Sequence, residues 1–421
     1  MNDFTEKHDL PTNKRTHNDE RITATTTMVV VLLTLQRHQH GVWITRLVDD
    51  LQSLGKETNV LCLEDWLAEE QQRHEQRRQA PPYDLWEVVV NRVSDAAEPA
   101  LVKACLGLLQ VCQHVYKIPV WNGPAAYSLC TNKWSHHVLF DAAGLSTPTT
   151  VRVFRQDDFD TTDLVNGLST PSNKTDRGTN HDQDKQKEAQ CLHQLRFPLL
   201  IKPNAGGFGA GIVKVESAAD LSNQLSFGPD GVCLLQDYVH PHDNELFRVW
   251  FLNGRVQCGV VRKQHDPAVF TVGCAGSDQC AFRPKEVLNS TTTTTTTTTT
   301  VNPNSIGTTT HVEQTPYDIP KDVRREIEGQ LLPLLPDAHC GSVEFLYDTD
   351  GVGAVDEHSN GQQTTEMGSG RERLYFDLNL LSTLPLVKND GNVWSDNFDP
   401  WMELAQAISS FADVAVKQQF T

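Results

Sequence analysis

Apolar runs separated by periodic polar stretches set the plan of this chain. Met28–Leu35 (MVVVLLTL) is a continuous apolar run, as expected of a strand buried on both faces. His40–Leu54 carries apolar residues at Val42, Ile44, Leu47, Val48, Leu51 and Leu54, a helical spacing that Gly55 closes. Asn59–Leu63 and Trp86–Asn91 read as further strands, Pro99–Val115 as a helix, and Ile118–Val120 as a short strand before the turn Asn122-Gly123-Pro124. Strands separated by helices predict a parallel sheet, hence a small α/β domain over residues 28–130.

The pattern then changes. Phe197–Lys202, Ile212–Glu216, Val232–Tyr238, Phe247–Leu252, Val256–Val261, Ser342–Tyr347 and Leu374–Leu378 read as strands joined mainly by turns. Helices are expected near 133–143, 217–226 and 320–334. This predicts an α+β body with antiparallel sheets over residues 131–386, followed by a helical segment over 387–421. In that last segment Trp401, Leu404, Ala405, Ile408, Phe411 and Val414 form an apolar stripe, read as a core-packing helix.

Four segments break the pattern: residues 1–27, about 155–192, about 289–312 with its unbroken run Thr291–Thr300, and about 352–371. Their polar composition cannot bury enough apolar surface to offset chain entropy, so they are expected to be disordered.

Charge and cysteines narrow the function classes. Fifty-four acidic residues against 36 basic ones give a net charge of −18, without a clustered Lys/Arg surface of the kind that nucleic acid requires. The apolar run at Val29–Leu33 is too short to span a bilayer, and the polar, acid-containing N-terminus is unlike a secretion or import signal. Ten cysteines without CxxC pairing point to reduced thiols and a cytoplasmic address. The histidine pairs 38/40, 136/137 and 240/242 read as solvated surface at turns and element ends.

The candidate chemistry begins at Phe197–Glu216, FPLLIKPNAGGFGAGIVKVE. A strand leads to Lys202, then to glycines 206, 207, 209 and 211, then to another strand. Glycines permit positive φ and bring backbone N–H groups close to an anion, while Lys202 supplies a charge at the strand end. A P-loop or a dinucleotide fingerprint would open a helix, and neither pattern is present. The strand–loop–strand order also suits a protein-kinase glycine loop, although no HRD or DFG element follows, and it suits a plain glycine hairpin. Far downstream, Glu344 lies in GSVEF, and Asp377 and Asn379 lie in YFDLN. On a strand, 377 and 379 share a face. Two carboxylates and an amide oxygen are hard ligands suited to Mg²⁺.

Taken together, these pieces resemble the ATP-grasp superfamily, particularly its RimK-like and glutathione-synthetase-like ligases, from about Met28 to Pro385. Six motifs stand in family order: Asn122-Gly123-Pro124 through Lys133 with AGLSTP at 143–148, IKPNAGGFGAGI, Gln236-Asp237-Tyr238-Val239, FRVWFLNG from Phe247, Arg262, and DLNLLSTLP from Asp377. The resemblance implies a pre-ATP-grasp α/β domain followed by a two-subdomain ATP-grasp fold with antiparallel sheets. It implies a carboxylate–amine (or thiol) ligase acting through an acyl phosphate. A non-catalytic, synapsin-like ATP-binding module and an ATP-grasp small-molecule kinase are the alternatives.

Carried over residue by residue, the resemblance implies that Lys133 and Lys202 contact ATP phosphates and that Gly206, Gly207, Phe208, Gly209 and Gly211 cover them. Gln236, Asp237, Tyr238 and Val239 would form the adenine hinge, and Glu245 would hold the ribose. Arg248 and Arg262 would face the transferred phosphoryl group. Glu344, Asp377 and Asn379 would bind one or two Mg²⁺, or Mn²⁺. The chain departs from the family in reading Asn132-Lys133 for Asp-Lys, Asp237 and Asp377 where Glu is usual, and in its spacing ahead of Arg248. The implied partners are ATP, a small carboxylate and an amine, or a peptide or protein terminus, with neither nucleic acid nor membrane. Trp43, Arg92 and Ser94, near the ends of first-domain strands, are expected on the substrate side, with Cys274 through Cys280 as a cover.

Overall fold

The computed structural model describes residues 28–76, 83–94, 97–154, 195–207, 209, 211–225, 227–264, 312–348, 371–381, 384 and 398–419. The four segments expected to be disordered lie outside these residues, except at two edges. Val312 opens a strand, and Arg371 is described.

Three sheets organise the chain. The first is parallel, in the order β2 (Glu57–Cys62), β1 (Val29–Thr34), β3 (Trp86–Asn91), β4 (Val120–Trp121). β3 is buried along its whole length, which is why its sequence does not alternate. Helices α1 (Val42–Ser53), α2 (Leu63–Gln76) and α3 (Pro99–Gln110) connect these strands. Helix α2 was not expected, because Glu and Gln dominate it and its apolar stripe is narrow.

Helices α4 (Pro124–Cys130) and α5 (Lys133–Ala142) lead from this domain to the second sheet. That sheet runs β5 (Thr150–Phe154), β8 (Val232–Asp237), β6 (Leu199–Pro203), β7 (Val213–Val215), all antiparallel, with helix α6 (Ala218–Gln224) packed on it. β5 was not foreseen; it pairs with β8 and buries Val151 and Val153 in that lobe's core.

The third sheet is also antiparallel: β11 (Val312–Pro316), β10 (Arg255–Gln264), β9 (Glu245–Leu252), β12 (Cys340–Tyr347), β13 (Arg373–Asn379). One face packs Phe247, Val249, Phe251, Val343 and Phe345 against α5 and the helical stretch that starts with α7 (Lys321–Glu326). Strand alternation therefore commits Arg248, Trp250, Ser342 and Glu344 to the other face. The last helix, α8 (Pro400–Gln419), returns to the first domain, where Trp401, Leu404 and Ile408 pack with Val30, Leu32 and Trp43.

One residue joins the first sheet to the third. Asn122 is 1% exposed and adopts φ +54°, a left-handed conformation that Asn tolerates better than most residues. Its amide nitrogen donates to Cys340 O at 3.0 Å and Leu380 O at 2.7 Å. Its amide oxygen accepts from His339 N at 2.8 Å and Cys340 N at 3.1 Å. Asn122→Gly keeps the backbone conformation but strands those buried groups, so stability should fall by about 3 kcal/mol or more. Chemical denaturation of both proteins checks this, and a loss below about 1 kcal/mol would show that the clasp is dispensable.

Candidate functional site

The open face of the third sheet holds an ordered grid of polar residues. Cross-strand pairing sets Val260, Arg248, Glu344 and Asp377 in one row across β10, β9, β12 and β13. The next row is Cys258, Trp250, Ser342 and Asn379, and Arg262 stands opposite Leu246 on the other side of the first. Five of the expected site residues thus share one face.

Glu344 lies between two cations. The Arg248 guanidinium contacts Glu344 Oε1 directly, and Arg262 Nη1 is 3.9 Å from the same oxygen. All three side chains are nearly buried. Neighbouring Asp377 is held from below: His136 Nδ1 is 3.2 Å from its Oδ1, and His136 Nε2 donates to Cys130 O at 3.0 Å. Burial alone would raise the Asp377 pKa. The hydrogen bond and charge of His136, with Lys133 and Arg248 nearby, outweigh burial and hold it below the usual carboxylate range. Asn379 Oδ1 accepts from Leu381 N at 2.9 Å, which shapes the turn after β13.

His136 corrects the reading of the 136/137 pair as solvated surface: it is 3% exposed, inside α5. His38, also expected at the surface, is 6% exposed. Burial first, then the charges of Arg37 and Arg92, lower its pKa to about 4, so it is neutral near pH 7.

Helix α5 starts where two lobes meet. Asn132 caps it, accepting from Ser135 N at 3.1 Å. Asn204, just past β6, accepts from Lys133 N at 3.0 Å through its carbonyl and from Trp134 N at 2.9 Å through its side chain. Asn204 is locked in turn by Asp230 at 2.7 Å. The Lys133 ammonium donates to Gly206 O. Gly206, Gly209 and Gly211 all have positive φ, and a Cβ at Gly211 would meet Pro203 Cγ at 2.8 Å, so the loop needs glycine there. Gly207 is placed within this loop, whereas Phe208 lies outside the described residues.

Lys202 ends β6 and is 7% exposed. Its ammonium donates to Gln236 Oε1, whose amide nitrogen donates to Thr150 Oγ1 at 2.8 Å. Burial dominates its pKa, which falls to about 8 despite the nearby Asp377 charge, and Lys133 lowers it further. Gln236 and Asp237 end β8, with Tyr238 and Val239 just beyond. Asp237 N donates to Thr149 O at 2.9 Å and Tyr238 N to Pro198 O at 3.0 Å. Asp237 Oδ1 accepts from Arg196 N at 2.8 Å, so this carboxylate is already engaged by the lobe's own backbone. Lys214 Nζ lies 4.2 Å from the Tyr238 ring centroid. Glu245 opens β9 on the opposite face from Arg248 and accepts from Lys263 Nζ at 3.3 Å, so it stands apart from the polar grid.

The glycine loop, the hinge stretch and the acidic strand thus converge through Lys133, His136 and Lys202. Sequence reasoning missed His136, Asn204 and Thr150. Only the spacing of Lys133 and His136, one turn apart on a helix, signalled a shared face. No cluster of three His, Cys, Asp or Glu residues able to hold a metal occurs among the described residues. The oxygen-rich set Glu344, Asp377 and Asn379 still suits Mg²⁺, which takes few protein ligands and keeps phosphate and water. Each carboxylate has one oxygen held by a basic side chain, Arg248 for Glu344 and His136 for Asp377, which leaves the other for a metal. No helix among the described residues is long and apolar enough to cross a membrane. Cys274 and Cys280 lie outside the described residues.

The fold is that of ATP-grasp proteins. A D-cycloserine synthetase, DcsG, superposes with a TM-score of 0.50 at 13% identity, covering 91% of this chain and 99% of that one. D-alanyl-alanine synthetase A from Vibrio cholerae superposes with a TM-score of 0.51 at 11% identity, covering 93% and 99%. No family profile and no curated protein sequence matches the chain.

Lys202 makes the ligand-free protein sensitive to pH. Its folded pKa of about 8 lies below the ordinary 10.5, so above pH 8 the unfolded chain binds the extra proton and stability rises with pH. Relative to Lys202→Met, the parent should gain about 2 kcal/mol between pH 7 and pH 9.5. Paired thermal melts measure this, and parallel curves for the two proteins would refute it.

Proposed function

We propose that this chain is a Mg-ATP-dependent ligase of the ATP-grasp type, joining a carboxylate to an amine (or thiol). The observation that carries this reading is the placement of Lys202 and the Lys133-bound glycine loop beside the Arg248–Glu344–Asp377 row. Bound Mg-ATP would supply the phosphoryl group that activates the acid as an acyl phosphate, from whose acyl carbon the amine then displaces phosphate.

The residues have distinct tasks in this reading. Lys202 is a dehydrated charge at the end of β6, and a phosphate arriving there would replace lost hydration with a full counter-charge. Lys133 ties the glycine loop to α5, so the backbone N–H groups of Gly206, Gly207, Gly209 and Gly211 are organised before phosphate binds. The stretch Gln236–Val239 would meet adenine through main-chain groups. Asp237 and Tyr238 N–H groups are already engaged, so Val239 N and the carbonyl of Asp237 would serve. Glu245 would reach the ribose from the first position of β9. Glu344, Asp377 and Asn379 would hold Mg²⁺. Arg248 and Arg262 would stabilise negative charge developing on the phosphoryl group and the acyl oxygen. No side-chain nucleophile is required.

Purified protein given Mg-ATP with pools of small carboxylates and amines should release ADP and phosphate and form an amide, detected by mass. Lys202→Ala and Asp377→Ala should each lower turnover by about 100-fold or more. Turnover unchanged in either variant would refute the assignment. ATP binding without turnover on any pool would favour a binding module, and phosphate on a substrate hydroxyl would favour a kinase.

Because His136 holds one oxygen of Asp377, its loss should act through the metal. In His136→Ala the Mg²⁺ concentration for half-maximal turnover should rise about 10-fold or more, with kcat at saturating Mg²⁺ changed far less. A Mg²⁺ titration separates the two effects, and a pure kcat loss would show that His136 does not serve the metal ligand.

A further inference from the structure

A second cation is built into the molecule away from the polar grid. Arg92 directly follows β3, at the C-terminal edge of the parallel sheet, where open α/β sheets take their ligands. It is 7% exposed, and its guanidinium carbon lies 4.6 Å from the centroid of the Trp43 ring. Among the described residues no carboxylate pairs with it.

Acids on the first sheet, on α1, and on or just before α8 are paired with other cations. Glu87 and Asp413 share Lys56 at 2.6 and 2.7 Å, and Asp50 and Asp399 share Arg46 at 2.7 and 2.5 Å. Burial pushes the Cys340 thiol up, and buried His38 is neutral near pH 7, so neither supplies a counter-charge. A buried guanidinium without an anion is costly unless a ligand provides one.

Arg92 lines a narrow, solvent-open cleft with a cavity volume of about 20 Å³, room for a carboxylate-sized group at the guanidinium with the rest of a ligand at the mouth. Trp250, Cys258 and Leu404 supply apolar wall, and Glu403 from the first turn of α8 also lines it, exposed and forming no ion pair with Arg92. Trp250 connects this cleft to the grid, since the Arg248 guanidinium lies 5.8 Å from its ring centroid.

We propose that Arg92 is a recognition subsite for the carboxylate of a small organic acid, set in the cleft beside Trp250. The proposal rests on the ligase reading: the acid held at Arg92 is a second carboxylate of one substrate, distinct from the one that is activated. A planar guanidinium matches a carboxylate in a two-point fork, and Trp43 behind it fixes its plane. One arginine beside an acidic rim suits a monoanionic group better than a phosphate dianion, which calls for several donors.

The test is calorimetric titration of the full chain, with and without a non-hydrolysable ATP analogue and Mg²⁺. The probes are amino acids and two- to five-carbon dicarboxylates, each paired with its amide, together with inorganic phosphate. At least one acid should bind 10-fold or more tightly than its amide. Arg92→Gln should erase that preference while leaving binding of the ATP analogue unchanged, which also shows that the variant is folded. Arg92→Lys should recover part of it.

Equal binding of acids and amides by the unmodified chain would overturn the proposal. So would phosphate binding in preference to every acid, an acid preference that survives Arg92→Gln, or no binding of any probe. Failure of the ATP analogue to bind would instead count against the ligase reading, while the acid–amide comparison still judges Arg92 on its own.

Discussion

The Asn122 clasp is the constraint from which the rest of the geometry follows. A single amide side chain at a left-handed position satisfies four main-chain groups, at His339, Cys340 and Leu380. It thereby fixes the edge of the parallel sheet, through Trp121, against the start of β12 and the end of β13. Trp121 reinforces the joint by donating to Cys340 Sγ at 3.2 Å and stacking on His339 at 4.8 Å. Both domain faces that matter for ligands depend on this register. The polar grid includes β12 and β13, and Arg92 follows β3, the neighbour of β4, and lines a cleft with Cys340. Loosening the clasp would let the two faces drift without unfolding either sheet.

Helix α5 is a second brace, acting between the other pair of sheets. Its first residue binds the glycine loop twice, through Lys133 N to Asn204 and Lys133 Nζ to Gly206. One turn later His136 reaches Asp377. A rigid turn of helix therefore spaces the loop from the acidic strand, and both contacts are made by side chains that are costly to leave unpaired once buried. This arrangement prepares the positions of charges before any ligand arrives, which is how electrostatic stabilisation of a transition state avoids reorganisation.

Much of this architecture was legible in the residues, and the failures have physical causes. The apolar-rich runs Met28–Leu35 and Trp86–Asn91 read as strands and are strands, and Trp86–Asn91 has the bounds expected of it. The period of two placed Asp377 and Asn379 on one face, whereas the pairing of Glu344 with Asp377 came only with the fold. Helix α2 stayed hidden because Glu and Gln favour helices without leaving an apolar stripe. The role of His136 was invisible because its partners are 241 positions later in Asp377 and close by in the Cys130 carbonyl, and a tertiary contact of that separation leaves no local pattern. Glu245, three residues before Arg248 on β9, falls on the opposite face of that strand, as the period of two requires.

The buried cations fall into two kinds, and the difference is one of charge balance. Arg373 contacts Glu326 and Asp322, and against the lowering effect of burial the bond to Asp322, with Tyr375 and Tyr347 beside it, raises its pKa. Such a residue is complete within the protein and fastens β13 to α7. Lys202 and Arg92 are the reverse case. Each is nine-tenths buried and each is lowered chiefly by desolvation; Lys202 contacts the Gln236 amide with the Asp377 charge nearby, and Arg92 lies over the Trp43 indole. A fold that keeps two such charges loses stability at both sites, and hydrophobic replacements would relieve it. Their retention is explained if ligands bring anions to them, with phosphate at the glycine loop and carboxylate in the cleft.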